Sequence, residues 1–592
     1  MRVPEQQRMS NMWRWTAALA GLAVLSIALV MAVVVTPASR VEALGYTVNS
    51  TADPGDGTCN AAECTLREAI TTAEGTAASD TIGFNIPSSD AGCIGGVCTI
   101  ALGANLPDIA NPLGGTLGIT GPSSHSVVVE GAPGDCFHVT SNGNTIRNLV
   151  INNCGDDGIE LDTANSNTIA GNYIGTNAAG TVPVANTGNG VSITGTSTGN
   201  TVGGAAAADR NLISGNSAAG VSIGDTARTT TIRGNYIGTD VTGSAAALGN
   251  GADGIVAGGN GANAITGNVI GRNTGNGITL SSGNNSVQGN SIGLGANGLA
   301  ILGNTVDGVQ ITAGNNTVGG TASGNGNVIA HNGAIGVDVT GGTAGIRRNS
   351  MFLNTGLGIS NFAPPVIIVG TFSAGIFTVG GTAPALSVVE VFLADPDREE
   401  GQTYVATYPV DGAGQWGGPL CVNGPVAIVA TATDTTVNDT SDFSAPMDLA
   451  SGTCSGAATA TPTATGTPPT STPTNTPTST GTPLTATPTR TSTPIGGATV
   501  TPTTGPRESV PLVAGCNPVA STYPDGTPIT TIAAGVSPST ILISIWWYNT
   551  GTGAWLGYSP QFPDQSNLSS VDRLEAIFIC VSSAGTWSRP LI

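Results

Sequence analysis

The residues best suited to acid–base chemistry are two adjacent carboxylates, Asp156 and Asp157, in the segment CGDDGIELD, which also contains Glu160 and Asp162. Paired carboxylates act as acid and base, or as acid and nucleophile, in glycoside cleavage. The alternative is a turn in which Asp and Gly have conformational roles. The 592-residue chain contains no Lys, which excludes Schiff-base catalysis, a P-loop lysine and a lysine general base.

A lyase mechanism would instead need carboxylates that hold calcium and an arginine that acts as base. The available residues, Asp209, Arg210, Arg233, Asp240 and Arg272, are scattered along the chain, and their spacing does not gather the acids on one face. Tyr residues that recur in register are expected to pack rather than react. We therefore predict a protein without catalytic residues and keep Asp156 and Asp157 as the alternative catalytic pair.

Aromatic side chains near the C-terminus are the candidate ligand-binding residues. Trp546, Tyr548 and Trp555 lie in ILISIWWYNTGTGAWLGYSP, which reads as a hairpin with alternating faces. Aromatic side chains on an exposed face can stack on sugar rings. The alternative is that they form a core and an interface.

The sequence predicts no metal site; the alternative is a calcium site formed by clustered carboxylates. Asp395 and Asp397 belong to the acidic cluster DPDREE, and Asp53 and Asp56 flank glycines. Carboxylates are calcium ligands, but a solvated hairpin tip and a turn explain the two segments equally simply. No other cofactor is predicted.

The ten cysteines are even in number and occur as local pairs, which predicts disulfides in an exported chain. Zinc is the rival interpretation, but the close pairs are five residues apart and lack a nearby His. Pairing by proximity joins Cys59 with Cys64, Cys93 with Cys98, Cys136 with Cys154, Cys421 with Cys454, and Cys516 with Cys580.

The N-terminus, residues 1–43, predicts export. Arg2, Arg8 and Arg14 precede an apolar run from Ala17 to Val35, and a small-residue site follows at Ala43. This pattern is typical of a secretory signal peptide, and the run is also long enough for an uncleaved membrane anchor. Either alternative makes the protein secreted or attached to the cell surface, with membrane contact only through this segment. A net charge of −20 excludes a nucleic-acid partner.

Residues 44–99 predict a strand, a turn and a short helix. Thr65 and Glu68 have capping-box spacing, and Leu66, Ala69, Ile70 and Ala73 then share one apolar face. The core of the segment, CTLREAI, closely resembles the CSLREA domain of bacterial surface proteins, with Thr65 where Ser is usual. The resemblance implies a structural cap at the start of a right-handed parallel β-helix.

Residues 100–362 repeat at intervals of 22–24 residues or longer. Short Ile- and Val-rich runs are punctuated by Gly and Asn, which predicts stacked rungs of three short strands, with extruded loops in the longer repeats. Asn residues at one register can hydrogen-bond along the stack as a ladder. The predicted ladder consists of Asn148, Asn172, Asn211, Asn235, Asn268, Asn290, Asn327 and Asn349.

The repeat is similar to the right-handed parallel β-helix of many secreted bacterial proteins. Paired carboxylates on such a fold resemble the catalytic pair of polygalacturonases. That family also has a Gly-flanked His and an Arg-Ile-Lys motif, whereas His125, His138 and His331 lack this setting and Lys is absent. Catalysis of the polygalacturonase type is therefore disfavoured.

The C-terminal part divides by composition. Residues 363–455 resemble bacterial Ig-like β-sandwich domains, notably in ATATDTTVNDTSDFS. Residues 456–506 are a Thr/Pro-rich linker that cannot form a core, and 507–592 form a small C-terminal β-domain. The fold class is thus all-β: a right-handed parallel β-helix, an Ig-like β-sandwich and a small β-domain.

The sequence therefore predicts an exported, modular, non-catalytic surface protein. Its expected role is adhesion or carbohydrate binding, with an extracellular polysaccharide or a cell-envelope component as partner. The alternative is a polysaccharide lyase or glycoside hydrolase of the pectin-degrading β-helix type.

Overall fold

The computed structural model describes residues 43–245, 248–373, 376–423 and 425–449, and short stretches between 507 and 590. The N-terminal segment up to residue 42 and the Thr/Pro-rich linker 456–506 lie outside the described residues. The chain divides into two units, residues 1–464 and 465–592. No helix among the described residues is long and apolar enough to cross a membrane.

Helix α1, Leu66–Glu74, begins with the predicted capping box. The Thr65 hydroxyl accepts from the Glu68 N–H, and the Glu68 carboxylate accepts from the Thr65 N–H at 2.9 Å. The apolar face of α1 is buried with Val48 and Ile82 in the core of the parallel strands that follow. Burial of this face, at roughly 1.5–3 kcal/mol per large side chain, holds α1 against the first strands.

Three parallel sheets form the body of the first unit, so the β-helix prediction is confirmed at the level of a parallel β-helix. Each rung runs from sheet A to sheet B to sheet C. Sheet A contains Gly45–Val48, Asp80–Phe84, Leu117–Thr120, Thr145–Arg147, Thr168–Ala170, Thr201–Gly203, Thr231–Arg233, Ala264–Thr266, Ser286–Gln288, Asn316–Gly319 and Ala344–Arg347. Sheet A therefore begins within residues 44–99, before the predicted start of the β-helix at residue 100.

Sheets B and C complete the rungs. Sheet B contains Cys93–Ile94, Val97–Ala101, Val127–Glu130, Val150–Asn152, Tyr173–Ile174, Leu212–Ile213, Tyr236–Ile237, Val269–Ile270, Ser291–Ile292, Val328–Ala330 and Ser350–Phe352; only its first two strands pair antiparallel. Sheet C contains Phe137–Val139, Ile159–Asp162, Val191–Thr194, Val221–Ile223, Ile255–Ala257, Ile278–Leu280, Val309–Ile311, Val337–Val339 and Ile359–Ser360. Alternate side chains point inwards, as Ile159 and Leu161 do, and form one continuous apolar core.

An Asn ladder runs along the corner between sheets A and B. Each buried side-chain amide donates to the next amide, as from Asn235 to Asn268 at 3.1 Å. The members of this first Asn ladder are Asn172, Asn211, Asn235, Asn268, Asn290, Asn327 and Asn349.

The assignment of Asn148 to this ladder is wrong. Leu149 occupies the ladder register in that rung, because its N–H donates to the Asn172 side chain at 3.0 Å. Asn148 has a positive φ of 58° and stands one residue earlier, at the left-handed position that Gly171 takes in the next rung. Asn tolerates this conformation better than most residues, so Asn in a repeat does not by itself mark the ladder.

Two further Asn ladders occupy the other corners and were not predicted. The second Asn ladder, between sheets B and C, contains Asn186, Asn216, Asn250, Asn273, Asn304, Asn332 and Asn354. The third, between sheets C and A, contains Asn144, Asn167, Asn200, Asn263, Asn285 and Asn316. Thr230 interrupts the third ladder, and its buried hydroxyl has no hydrogen-bond partner among the described residues.

The longer repeats contain extruded loops that lie over sheet B. The backbone N–H of Val241 donates to Gly180 O at 3.0 Å, and that of Ala296 donates to Gly243 O at 2.8 Å. Successive loops thus hydrogen-bond to one another and continue the stacking of the rungs outside the core.

Residues 366–449 form two antiparallel sheets that enclose a second core, which includes Phe377, Val389 and Ile428. One sheet contains Val366–Ser373, Ile376–Thr382 and Gln415–Leu420. The other contains Gly401–Pro409, Val388–Ala394, Val426–Asp434, Asp439–Thr440 and Met447–Leu449. We call this element the sandwich.

The sandwich closes the C-terminal end of the β-helix. At one corner, Glu400 accepts from the backbone and side-chain N–H groups of Asn354 at 3.0 and 2.7 Å, which ends the second Asn ladder on a carboxylate. At another, the fully buried Glu390 pairs with Arg347 at 2.8 Å and Arg348 at 3.4 Å.

Backbone N–H groups on the strand edge of the last rung also donate to side chains of the sandwich. Asp439 accepts from the Ala344 N–H at 3.1 Å, and the Thr440 hydroxyl accepts from the Ile346 N–H at 2.9 Å. Unpaired N–H groups on a sheet edge invite pairing with another chain. Side chains of the sandwich therefore close this edge.

Disulfides join Cys59 to Cys64, Cys93 to Cys98, and Cys136 to Cys154. Cys421 is also disulfide-bonded. Cys516 and Cys580 are directly opposite one another on paired antiparallel strands of the second unit.

The described stretches of the second unit are antiparallel strands. Their bounds are Arg507–Leu512, Gly515–Ala520, Thr527–Pro528, Val536–Ser537, Leu542–Asn549, Ala554–Tyr558, Ser570–Val571, Ala576–Val581 and Gly585–Pro590. The predicted hairpin is present in the backbone, since Leu542–Asn549 pairs with Ala554–Tyr558.

Candidate functional site

A cluster of carboxylates around His138 lies on the outer face of sheet C, near the N-terminal end of the β-helix. His138 and Glu160 are opposite one another on neighbouring strands. The Nδ1 atom of His138 is 3.0 Å from Asp108, and its Nε2 atom is 3.7 Å from Glu160. Sheet C thus places a His between two carboxylates, which is an arrangement that can move a proton.

The predicted pair extends this cluster from the adjacent turn. Carboxylate oxygens of Asp135, Asp156 and Asp157 lie within 4.8 Å of one another. Asp157 is nearly buried and accepts from the backbone and side-chain N–H groups of Asn189 at 2.5 and 3.0 Å. Asp156 is exposed. Oxygen ligands in this arrangement could accept a divalent cation, yet Asp157 already has a structural role as an acceptor.

Burial and mutual repulsion perturb the acids of the cluster. Burial raises the pKa of Asp135 to about 7; the backbone hydrogen bond from Asp157 opposes the rise and the Glu160 carboxylate adds to it. Burial also raises the pKa of Asp157, against the Asn189 hydrogen bonds. A proton is therefore retained near neutral pH in a site that contains His138.

The pKa of His138 is raised, although burial alone would lower it. Burial lowers its pKa, but the hydrogen bond and charge of Asp108, with Glu160 and Asp135, outweigh that effect and raise the pKa overall. The imidazolium is stabilised by the surrounding acids.

Sequence reasoning missed Asp108, Asp135 and His138 as members of this cluster. A signal was present, since His138 and Glu160 are 22 residues apart and so are Asp135 and Asp157. That separation is one rung of the repeat, which stacks equivalent residues on neighbouring strands.

The dispersed acids and arginines do not converge. Asp209 pairs with Arg147 at 3.2 Å, and Arg210 lies over the Tyr236 ring at 4.2 Å. Asp240 accepts from backbone N–H groups within its own loop. Arg233 is an outward residue of sheet A, and Arg272 adopts a positive φ of 64°.

A cavity of about 230 Å³ lies over sheet B, lined by His125, Tyr173, Arg210 and Tyr236 among others. Tyr173 stacks on His125 with ring centroids 3.8 Å apart. The extruded loops cover the other side of the two Tyr rings, since a Cβ at Gly180 or Gly243 would meet ring atoms of Tyr173 or Tyr236 within 3.1 Å. These contacts hold the loops on the sheet, as expected of Tyr residues that repeat in register.

The calcium alternative at Asp395 and Asp397 is not supported by the geometry. Asp395 is buried and accepts from the N–H groups of Glu399 and Glu400 and from that of Leu353 on the last rung. Asp397 is exposed. Of the other two calcium candidates, Asp53 forms an ion pair with Arg67 at 2.6 Å, whereas carboxylate oxygens of Asp56, Glu63 and Glu68 lie within 4.8 Å of one another.

The candidate ligand-binding aromatics can be placed only by their backbone. Trp546 and Tyr548 lie on one strand, and Tyr548 is opposite Trp555 on the next. Their side chains are outside the described residues, so sugar stacking there stays a prediction.

No protein-family model matches the chain, and no curated protein matches it. Among solved structures, pectate lyase Pel9A is similar over 54% of this chain and 78% of its own, with 15% identity and a TM-score of 0.26. Geobacillus virus E2 ORF18 is similar over 65% of this chain and 73% of its own, with 11% identity and a TM-score of 0.26. The enzymatically active domain of bacteriophage CBA120 tailspike protein 2 is similar over 69% of this chain and 63% of its own, with 12% identity and a TM-score of 0.20.

Proposed function

We propose that this chain is an exported, modular, non-catalytic surface protein whose β-helix binds extracellular polysaccharide or cell-envelope material. One observation carries the proposal. Two eleven-stranded sheets and one nine-stranded sheet run in register along the β-helix, while α1 covers its first strands and the sandwich closes its last rung. Long outer faces with a regular repeat remain, and they suit a ligand that is itself long and repetitive.

The finer assignments are part of this proposal. Residues 1–43 would direct export, 44–99 would be a CSLREA-type cap and 363–455 an Ig-like domain. The linker 456–506 would separate them from the domain 507–592, where Trp546, Tyr548 and Trp555 would add a second sugar contact. Disulfides persist in oxidising environments, and the three bonds of the first unit support a secreted or cell-surface location.

Affinity gel electrophoresis of the full chain tests the proposal. The panel would contain a neutral β-glucan, a xylan, polygalacturonate and peptidoglycan, with the free monosaccharides as matched controls. We expect retention by at least one polymer and by none of the monosaccharides, because the outer faces can engage many repeats at once. Lack of retention by every polymer would refute the proposed function.

The second candidate is glycan cleavage at the His138 cluster, and the raised pKa of Asp135 beside Glu160 favours it. The spacing argues against it, because carboxylate oxygens of Asp135, Asp156 and Asp157 lie within 4.8 Å of one another. Retaining glycosidases separate their carboxylates by roughly 5–5.5 Å and inverting ones by roughly 6.5–9.5 Å.

A reducing-end assay on the same panel decides between the candidates. Cleavage would predict a loss of turnover of at least 100-fold in Glu160→Gln and Asp135→Asn. Asp162→Asn, on the same strand as Glu160, is the matched control. Product release that depends on Glu160 but not on Asp162 would replace the non-catalytic proposal, whereas no release would support it.

A further inference from the structure

A row of hydroxyl side chains runs along the outer face of sheet A. The strand register places each hydroxyl directly opposite the next, except where Gly118 and Ala264 interrupt the row. We call this set the hydroxyl row; its members are Thr81, Thr145, Thr168, Thr201, Thr231, Ser286 and Thr317.

The hydroxyl groups of this row have no hydrogen-bond partner within the part of the chain that the structure describes. Outward Thr residues on sheet C differ, since Thr194 donates to Glu160 at 3.0 Å and Thr279 donates to Asp253 at 2.6 Å. Thr81 is exposed and the other members are partly exposed. Their donors and acceptors are thus free for solvent or a ligand.

The row is long and nearly neutral. From Thr81 to Thr317 it crosses eight inter-strand steps and extends for about 38 Å at a spacing of about 4.8 Å. Two residues further along the strands lie Arg147, Arg233 and Arg347, of which Arg147 is paired with Asp209 and Arg347 with the buried Glu390. Arg233 is exposed and has no acidic partner among the described residues.

We propose that the hydroxyl row binds a single extended, uncharged polysaccharide chain that lies along the β-helix axis. This inference rests on the proposed function and assigns its binding face. Hydroxyl groups both donate and accept, as sugar hydroxyls do, and the Thr methyl groups offer apolar contact to sugar C–H groups.

Dimensions and charge select this occupant. The neighbouring row is mixed: besides two hydroxyl side chains, Thr120 and Thr266, it contains Arg, Gln, Gly and Ala residues. The extended hydroxyl array is therefore confined to one row and fits one polymer chain rather than a crystalline plane. The net charge of −20 disfavours a polyanion. Each hydrogen bond contributes modestly in water, so the affinity should grow with the number of sugars engaged.

The test uses the full chain and β-1,4-linked glucose oligomers of increasing length, measured by titration calorimetry. Affinity should rise with length until the oligomer spans about 38 Å. The triple variant Thr168→Val/Thr201→Val/Thr231→Val removes hydroxyl groups but keeps β-branched shape and strand propensity. It should bind at least tenfold more weakly.

The control is Ser222→Val/Ser360→Val, which changes outward hydroxyls on sheet C and should leave affinity unchanged. Equal binding by the wild type and the triple variant would overturn the hydroxyl row while leaving the proposed function intact. Failure of the whole polysaccharide panel would overturn both. Tighter binding of polygalacturonate than of the glucan would also overturn the inference, as would a wild-type dimer that the triple variant dissociates.

Discussion

Replacing Asn235 with Ala removes one link from the middle of the first Asn ladder. The Asn235 amide donates to Val202 O at 2.9 Å and to the Asn268 side chain at 3.1 Å. Its oxygen accepts from the backbone and side-chain N–H groups of Asn211 at 3.2 and 3.0 Å. The side chain is fully buried, so water cannot replace these partners.

The cost follows from these hydrogen bonds. At about 1 kcal/mol each, the loss comes to about 4 kcal/mol, before any contribution from the cavity. Stacked repeats respond mainly through neighbouring rungs. We therefore expect local opening of residues 231–270 rather than uniform destabilisation.

Hydrogen exchange followed by mass spectrometry measures this opening rung by rung. A loss of about 4 kcal/mol corresponds to exchange faster by about three orders of magnitude in peptides of that region. The matched control is Asn148→Ala, with Asn148→Gly to remove the strain of a positive φ. Asn148 is outside the ladder, so the Gly variant should change exchange less than threefold, since surface substitutions cost within about 0.5 kcal/mol.

Equal acceleration of exchange by Asn148→Gly and Asn235→Ala would contradict the placement of Asn148 outside the ladder. A cost of less than about 1 kcal/mol for Asn235→Ala would show that the ladder bonds do not stabilise the rungs.

Three further predictions concern stability. Burial raises the pKa of Glu400 to about 7. A pKa that is raised in the folded state stabilises the fold fully at acidic pH, and this stabilisation is lost as the pH rises through 7. Glu400→Gln should therefore reduce the change in melting temperature between pH 5 and 8. Cys136→Ala/Cys154→Ala opens a loop of 18 residues and should cost about 3 kcal/mol in denaturant unfolding, whereas an unchanged midpoint would contradict a constraining role. Glu390→Gln leaves two arginines without their buried partner and should cost roughly 3–5 kcal/mol, seen as faster proteolysis between the β-helix and the sandwich. The control Arg398→Gln breaks an exposed ion pair and should cost under about 1 kcal/mol. Equal sensitivity of the two variants to protease would contradict a stabilising role for the buried Glu390 pairs.

The repeat and the start of α1 were predictable because they depend on local pattern. Strand-length apolar runs at a fixed interval specify stacking, and the spacing of Thr65 and Glu68 specifies the start of α1. Register within the repeat was less accessible, because Asn148 satisfies the sequence pattern while its backbone takes the position of a Gly.

The site was harder to predict than the fold because its members come from different rungs. His138 and Glu160 become neighbours only when the rungs are aligned strand by strand. The engagement of Asp395 at the end of the β-helix depends on the docking of the sandwich, which no local pattern encodes.

The closure of the last rung sets an order of events during synthesis. Leu353 and Ala344 find their acceptors 42 and 95 residues later in the chain. As the chain emerges from its N-terminus, the rungs can stack behind α1, but the final edge stays open until Asp439 and Thr440 have been made and the sandwich has folded. In that interval the nascent protein exposes a sheet edge open to other chains, and a slow or mutated sandwich would lengthen the period of greatest aggregation risk.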